Sequence, residues 1–237
     1  MNPPDTPNVD QSEIAKFEAL AAHWWDPHGE FRPLHEINPL RVGYIDQRTT
    51  LEGSRVLDVG CGGGILAEAL AARGADVTAI DAAGAALSVA RLHLHETGLS
   101  VEYVESTAEE FAAREPSGFD IITCLEMMEH VPDPASVVDA CAKLVRPNGH
   151  VFFSTINRTP KSFLFAIVGA EYVLRLLPRG THEYAKFIRP SELDAWSRNS
   201  NLSLEDMTGM HYQPLTGEYR LGPGVDVNYL AYYRKDG

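Results

Sequence analysis

Residues 55–64, RVLDVGCGGG, indicate how the chain folds. An apolar run ends in four glycines, Gly60, Gly62, Gly63 and Gly64, and a helical apolar pattern, GILAEALAARG, begins at the last of them. Glycines directly after a buried strand let the backbone turn tightly and approach a ligand closely. The stretch therefore predicts a strand, a ligand-binding loop and a helix in succession.

The spacing of these glycines indicates the kind of ligand. A dinucleotide-binding loop reads GxGxxG, but the sixth position counted from Gly60 is Ile65. The spacing therefore disfavours a nicotinamide cofactor and favours a nucleoside without a pyrophosphate. Asp81 follows 21 residues after Gly60, at the end of the next strand pattern, VTAID. A carboxylate there can accept hydrogen bonds from both hydroxyls of a ribose, or it can cap the next helix.

Strand and helix patterns alternate around this loop as far as residue 157. Each apolar strand pattern is followed by a helical one, which predicts an α/β fold whose parallel sheet is covered by helices on both faces. Two helical patterns precede the alternation, so we assign residues 1–50 to an N-terminal helical lid and residues 51–237 to the core. Residues 156–189 are interpreted as an insertion, after which one helix and two strand patterns close an edge of the sheet.

The composition argues against several classes of function. The 237 residues carry a formal net charge of −13, which repels phosphate backbones and disfavours a nucleic-acid partner. The three cysteines are far apart and form no CxxC pair, so neither disulfides nor a zinc site is expected. The N-terminus has no signal-peptide pattern, and the longest mainly apolar stretch, 163–177, is too short for a membrane span of about 20 residues. We expect a cytoplasmic protein.

Three ionisable side chains lie close together in the stretch CLEMMEHVPDP, residues 124–134, namely Glu126, Glu129 and His130. They follow the fourth strand pattern directly. In open α/β sheets, ligands bind beyond the carboxyl ends of the strands, so these side chains are expected beside the ligand of the glycine loop. If EMMEH forms a helical turn, all three lie on one face.

Four segments, VLDVGCGGG, AID, CLEMMEHVPDP and LVRPNGHVFFSTINR, resemble the successive motifs of class I S-adenosylmethionine-dependent methyltransferases. The stretches EIAKFEALAAHWWDPHGEFRPLHEINPLRVGYI, KSFLFAIVGAEYVLRLLPRGTHEYAKFIRP and LGPGVDVNYL are similar to the ubiquinone biosynthesis O-methyltransferases, so the resemblance covers nearly the whole chain. It implies a Rossmann-like class I fold with a seven-stranded, mostly parallel sheet. It also implies methylation of phenolic or catechol hydroxyls of polyprenylated intermediates at two steps of ubiquinone biosynthesis.

The resemblance also implies where S-adenosylmethionine binds. It places cofactor contacts at four motif positions, Arg41, Gly60, Asp81 and Leu125. Gly62 belongs to the same loop. Thr107, at the end of the third strand pattern, is expected beside the adenine, with local capping of the next helix as the alternative. Other ubiquinone-biosynthesis enzymes are further partners that this resemblance implies.

Methylation of a phenol requires removal of its proton, because a phenolic pKa of about 10 leaves the hydroxyl protonated at neutral pH. In one alternative, Glu126, Glu129 and His130 bind Mg²⁺, which coordinates a catechol and lowers the pKa of its hydroxyl. In another, His130 is the general base, and Glu126 or Glu129 orients it. In the third, the glutamates only cap the next helix or face water.

The insertion is basic although the protein is acidic. Residues 156–189 contain six Lys or Arg against two Glu, and cations flank their apolar centre, FLFAIVGAEYVLRLL. This pattern predicts peripheral docking of residues 161–179 on an anionic membrane surface, at the inner face where a polyprenylated acceptor would reside. A core helix with solvated basic ends is the alternative. His182, in the following loop, is a second candidate for substrate contact.

Two further functions compete with this interpretation. One is methylation of another small hydroxyl or carboxyl acceptor, because the glycine loop and Asp81 do not identify the nucleophile. The other is a noncatalytic nucleoside-binding subunit, which would tolerate the loss of Glu126 and His130.

Overall fold

The structure, a computed structural model, describes residues 7–115, 118–163, 184–213 and 215–237. Its elements in chain order are α1 (Gln11–Leu20), α2 (Arg32–Asp46), β1 (Arg55–Val59), α3 (Ile65–Ala71), β2 (Asp76–Asp81), α4 (Gly84–Thr97), β3 (Val101–Glu105), α5 (Ala108–Arg114), β4 (Phe119–Leu125), α6 (Pro134–Leu144), β5 (Val145–Ile156), α7 (Pro160–Ser162), α8 (Pro190–Asn199), β6 (Leu202–Gln213), β7 (Glu218–Gly222) and β8 (Asn228–Lys235). Short 3₁₀ turns lie at Ala21–His23, Met128–His130 and Tyr184–Lys186.

The strands form one sheet in the order β3-β2-β1-β4-β5-β8-β6-β7. The first five strands in the chain pair in parallel, whereas β8 pairs antiparallel with both β5 and β6, and β7 pairs antiparallel with β6. Strand order reverses between β1 and β4, which is where α/β sheets open a crevice for a ligand. The predicted α/β class with a mostly parallel sheet is confirmed.

The predicted number of seven strands was wrong, because the sheet formed by the described residues has eight. The additional strand is β7, with the sequence EYRLG, which has little of the apolar character by which a strand is recognised. It lies at the edge of the sheet, with no residue fully buried, and is held through pairing with β6. Short edge strands depend on their partner rather than on their own sequence pattern.

The residues RPNG, which are typical of a turn, lie within β5 as an irregularity. Pairing between β4 and β5 passes from Phe119 opposite Val145 to Ile121 opposite His150, so the intervening residues of β5 bulge out of the ladder. Asn148 has a φ of 60° in this bulge, a left-handed conformation that asparagine tolerates better than most residues.

The connection between α1 and α2 packs against the glycine loop, whereas α2 packs on one face of the sheet, where Tyr44 contacts Phe152 of β5. Asp10 caps α1 by accepting a hydrogen bond from the Ser12 amide. The second helix begins at Arg32, because Pro33 in its first turn favours a helix start. Trp24 and Phe31, from the connection between α1 and α2, belong to a buried cluster with residues of α3 and α4. The chain before the core therefore covers the glycine loop.

The insertion lies largely outside the described residues. β5 ends at Ile156, the chain is described as far as residue 163, and it is described again from residue 184. The predicted membrane-docking stretch, 161–179, and His182 fall mostly or wholly in the part between. No helix in the described ranges is long and apolar enough to cross a membrane.

Candidate active site

A cavity of about 820 Å³ lies beyond the carboxyl ends of β1, β2 and β4. The N-terminal helices and the β6–β7 hairpin form its other walls. Every site residue predicted within the described ranges lines it: Arg41, Gly60, Gly62, Asp81, Thr107, Leu125, Glu126, Glu129 and His130. The residues predicted to contact the cofactor and those predicted to act on the acceptor therefore line the same cavity.

Backbone conformation and steric contacts explain why positions 60 and 62 of the loop are glycines. Gly60 and Gly62 have φ values of 73° and 53°, a left-handed region that strains other residues. A Cβ at Gly62 would lie 2.1 Å from the Trp24 ring, and one at Gly60 would lie 2.3 Å from Cγ of Met127. Trp24 is itself held by stacking on Phe31, with ring centroids 4.0 Å apart. The loop and the N-terminal segment consequently fit only with glycine at these positions.

Asp81 connects the glycine loop to the next helix. One carboxylate oxygen accepts a hydrogen bond from the Gly62 amide at 2.8 Å, and the other accepts one from the Ala83 amide at 2.8 Å. Burial raises the pKa of Asp81, while these amide hydrogen bonds oppose the rise. Asp81 does not cap α4, because Ala83 is the N-cap residue and no side chain caps this helix, so the helix-capping alternative was wrong. The carboxylate also faces the cavity, and its contact with a ribose stays a prediction.

Thr107 and Leu125 line the cavity from two other strand ends. Thr107 forms a capping box at the start of α5, since its hydroxyl accepts from the Glu110 amide and the Glu110 carboxylate accepts from the Thr107 amide. The predicted capping alternative therefore holds, and contact with adenine stays a prediction. Leu125 is the last residue of β4 and is buried, which suits an apolar contact.

Arg41 and Asp58 place buried charged groups at the cavity wall. Nη2 of Arg41 donates to the Leu34 carbonyl at 3.3 Å, but its Nε has no partner in the described part of the chain. Asp58 accepts from the Thr123 hydroxyl at 2.7 Å, and its second oxygen also lacks a partner there. Burial lowers the pKa of Arg41 and raises that of Asp58 to about 6. Buried polar atoms without a protein partner are commonly completed by an ordered water or by a polar ligand.

The expectation that Glu126, Glu129 and His130 share one helical face was wrong. Glu126 has a φ of 56°, and the following 3₁₀ turn spans only Met128–His130. The left-handed residue redirects the chain between β4 and the turn, so the side chains reach different partners.

Each of these three side chains has its own hydrogen-bond partners. Glu126 accepts from the Ser154 hydroxyl at 2.7 Å and from the Asn228 amide at 3.1 Å. Glu129 accepts from the Thr155 hydroxyl at 2.9 Å. Nδ1 of His130 lies 2.9 Å from a carboxylate oxygen of Glu13, which belongs to α1. Glu13 therefore occupies the orienting position that we predicted for Glu126 or Glu129.

The predicted three-residue metal site is not assembled in this arrangement. Within the described ranges, no three His, Cys, Asp or Glu side chains converge as ligands of a metal ion. The reason is geometric, because His130 is directed towards α1 while Glu126 is bound from β5 and β8. The donors as placed do not fit an ion held by all three.

Comparison with known proteins identifies the family. A family model described as a methyltransferase domain matches residues 40–206. A ubiquinone biosynthesis O-methyltransferase of Stutzerimonas stutzeri (strain A1501) is 64% identical over 224 residues, covering 94% of this chain and 97% of that protein. Another, from Pseudomonas aeruginosa (strain UCBPP-PA14), is 61% identical over 229 residues, covering 97% and 99%. The chain belongs to the ubiquinone biosynthesis O-methyltransferases.

Solved structures support the fold. A magnesium protoporphyrin IX methyltransferase from Synechocystis PCC 6803 with bound SAH, S-adenosylhomocysteine, has a TM-score of 0.67 and 15% identity, covering 94% of each chain. This likeness confirms the class I methyltransferase fold. Membership of the family confirms the predicted enzyme class, an S-adenosylmethionine-dependent O-methyltransferase.

Glu129 is the most buried carboxylate at the acceptor side of this methyltransferase, with 3% of its surface exposed. Burial, and secondly the nearby charge of Glu126, raise its pKa to about 8. Its Oε1 has no hydrogen-bond partner among the described residues. Glu129 therefore holds a proton more readily than an ordinary carboxyl group, whereas Glu126 accepts hydrogen bonds from Ser154 and Asn228.

Three residues at the site were missed by sequence reasoning. Glu13 lies in an amphipathic helix beside Lys16, where the sequence suggests a solvent-facing pair. Ser154 and Asn228 lie in β5 and at the start of β8, and only the pairing of these strands brings them to Glu126. No local signal marks any of the three.

Proposed function

We propose that this methyltransferase transfers the methyl group of S-adenosylmethionine to phenolic or catechol hydroxyls of polyprenylated intermediates, at two steps of ubiquinone biosynthesis. One observation carries the proposal: a single cavity has the glycine loop and Asp81 on one wall and His130 on another. Donor and acceptor can therefore meet without water between them. The names of the relatives support the pathway.

The donor side of the cavity suits S-adenosylmethionine. Asp81 would bind the ribose, Thr107 would lie beside the adenine, and the Gly60 and Gly62 backbone would approach the nucleoside. At the methionine end, the charged ammonium and carboxylate groups would satisfy the unpartnered oxygen of Asp58 and the Nε of Arg41. Leu125 would supply apolar contact.

The acceptor side combines apolar walls with the ionisable cluster. The apolar side chains on this side suit an aromatic ring and the first prenyl units. They are Ile14, Phe17, Leu20, Met127, Val131, Ile156 and Val227. Large apolar surfaces with few polar groups are typical of small-molecule sites. A prenylated ring would direct its hydroxyls towards Glu126 and His130 and its tail along the apolar wall.

The chemistry is an in-line displacement at the methyl carbon. His130 accepts the hydroxyl proton, the phenolate oxygen forms a bond to the methyl carbon, and the bond from that carbon to sulfur breaks. S-adenosylhomocysteine leaves, and the proton passes from His130 to water. Glu126, held by Ser154 and Asn228, would accept a hydrogen bond from the neighbouring catechol hydroxyl and so orient the ring.

The N-terminal helical lid, residues 1–50, would exclude water during this step. Phe17 and Trp24 contribute to the cavity wall from this segment, and Arg41 reaches the cofactor side from α2. Excluding water strengthens the electrostatic interactions inside a site. The lid therefore belongs to the catalytic unit rather than to a separate domain.

A methylation assay with purified protein tests the proposed acceptor. We expect S-adenosylhomocysteine to form with a catechol that carries a short prenyl chain, and kcat/KM to be at least about tenfold lower for the same catechol without it, because the apolar wall is then left unfilled. Transfer to an unrelated hydroxyl or carboxyl acceptor, with none to the prenylated catechol, would contradict the substrate assignment.

Magnesium stays a prediction that the same assay addresses. Activity that persists in a chelator would show that removal of the acceptor's proton needs no metal ion, so that His130 alone would accept this proton. Activity lost in the chelator and restored by Mg²⁺ would mean that Glu126 and Glu129 bind an ion once the substrate is present.

We also propose peripheral membrane contact through residues 161–179, at the inner face of the cytoplasmic membrane. Of the six insertion cations, Arg158, Lys161 and Lys186 are ion-paired with Glu192, Asp226 and Asp10. Arg175 and Arg179, outside the described residues, would therefore contribute much of the attraction to lipid. Contact with other ubiquinone-biosynthesis enzymes stays a prediction.

Sedimentation with vesicles tests the membrane contact. We expect the protein to sediment with phosphatidylglycerol vesicles but not with phosphatidylcholine vesicles at moderate ionic strength. An Arg175→Gln/Arg179→Gln variant should sediment less, since each basic residue near such a surface contributes about 1 kcal/mol. Equal sedimentation of both proteins would exclude these arginines from the contact.

A further inference from the structure

A buried carboxylate of the N-terminal lid lies beside the proposed base. Glu13 is only 5% exposed although it belongs to a helix on the outside of the fold. One of its oxygens lies 2.9 Å from Nδ1 of His130. The two residues are far apart in the sequence and meet only because α1 packs across the end of β4. A charged side chain is costly to bury unless it is paired, so this contact calls for a functional explanation.

We propose that Glu13 is a positioning residue for His130, which it orients through Nδ1. This inference rests on the proposed role of His130 as the general base. The N-terminal lid, and not only the methyltransferase core, then contributes a residue to the catalytic apparatus.

The protonation states follow from the contact. The hydrogen bond with His130 is the main cause that lowers the pKa of Glu13 to about 2. Glu13 is thus ionised at neutral pH, and an ionised carboxylate only accepts hydrogen bonds. Nδ1 must therefore carry the hydrogen, which assigns the lone pair of the neutral ring to Nε2. When the ring takes the phenolic proton, the carboxylate stabilises the resulting positive charge.

Helix α1 makes a second contact with the His130 ring. Phe17, one turn after Glu13 in α1, contacts the His130 ring edge to face, with centroids 5.1 Å apart and an interplanar angle of 88°. Both contacts depend on α1 being in place. Displacing this helix would therefore release the base from its orientation.

Two lysines hold Glu13 on its other oxygen. Lys16 lies 2.8 Å from it and Lys186 lies 3.4 Å from it, and Lys186 also contacts Asp10 at 3.1 Å. Lys186 follows the insertion in the chain. These contacts tie α1 to the end of the insertion, so an alternative role for Glu13 is to fasten the lid only.

Substitution of Glu13 separates the two roles. We expect Glu13→Gln to lower kcat roughly 10- to 100-fold, part of the usual contribution of general base catalysis. The KM for the prenylated catechol and the Kd for S-adenosylhomocysteine should change less than about twofold. Glu13→Asp, which keeps the charge, should recover part of the loss. Glu18→Gln, an exposed glutamate of the same helix, is the matched control and should match the wild type.

A double-mutant cycle provides the decisive measurement. With His130 already replaced by glutamine, Glu13→Gln should have no further effect on kcat, because no base remains to be positioned. Equal losses in both backgrounds would overturn the proposal in favour of lid fastening. If Glu13→Gln is fully active and His130→Gln is inactive, the positioning role of Glu13 is overturned, whereas the assignment of His130 as the base stands. Full activity of His130→Gln would remove the base assignment itself. Thermal unfolding and S-adenosylhomocysteine binding establish that each variant is folded.

Discussion

Replacement of His130 by glutamine is expected to lower kcat by about 10²- to 10⁴-fold, the usual contribution of a positioned general base. Glutamine fills a similar volume and can hydrogen-bond to Glu13, but it cannot accept the phenolic proton. The Kd for S-adenosylhomocysteine should change less than about twofold, because the glycine loop and Asp81 bind the other end of the cavity. Steady-state methylation kinetics and calorimetry measure the two quantities.

The matched control is His95→Gln, which changes an exposed histidine on α4 and should leave kcat unaltered. A His130→Gln variant that keeps more than about a tenth of the wild-type kcat would show that another group takes the proton. Acceptors with more acidic phenols give a further check. They ionise without help, so the difference between variant and wild type should shrink as the acceptor pKa falls.

The parallel part of the fold is predictable because its sequence signal is local and strong. In β1 and β4, nearly every residue is buried, since helices cover both faces, and such strands read as continuous apolar runs. The strand β7 gives no such signal because its stability comes from pairing with β6. The bulge at Asn148 gives no strand signal either, since the residues RPNG are typical of a turn even though they lie within β5.

The donor and acceptor sides of the site differ in predictability for the same reason. Gly60, Gly62 and Asp81 lie on adjacent strand ends, and their roles follow from the requirements of one loop. The orientation of Glu126 depends on one left-handed residue and on partners from β5 and β8. The partner of His130 comes from a helix at the other end of the chain. Contacts of this kind are set by packing and are not encoded in local patterns.

Replacement of Glu129 by glutamine is expected to change how stability depends on pH. The native pKa of about 8 exceeds the ordinary value of 4.5 because of burial and the charge of Glu126. Between these values the folded state binds more protons than the unfolded state, so the contribution of Glu129 is full at low pH and is lost as the pH rises through about 8. Each pKa unit corresponds to about 1.4 kcal/mol, so the decrease should be readily measurable. Chemical denaturation at a series of pH values measures it.

Glutamine resembles the protonated acid and can still accept the Thr155 hydrogen bond, but it does not titrate. The free energy of unfolding of Glu129→Gln, relative to the wild type, should therefore rise with pH, whereas that of the control Glu18→Gln should stay level. A difference that does not grow with pH would mean that Glu129 is already ionised in the folded protein. A buried carboxylate beside Glu126 can remain ionised only with a compensating positive charge. That result would favour a cation at the acceptor side, and adding a chelator during the denaturation would show whether the cation is a metal ion.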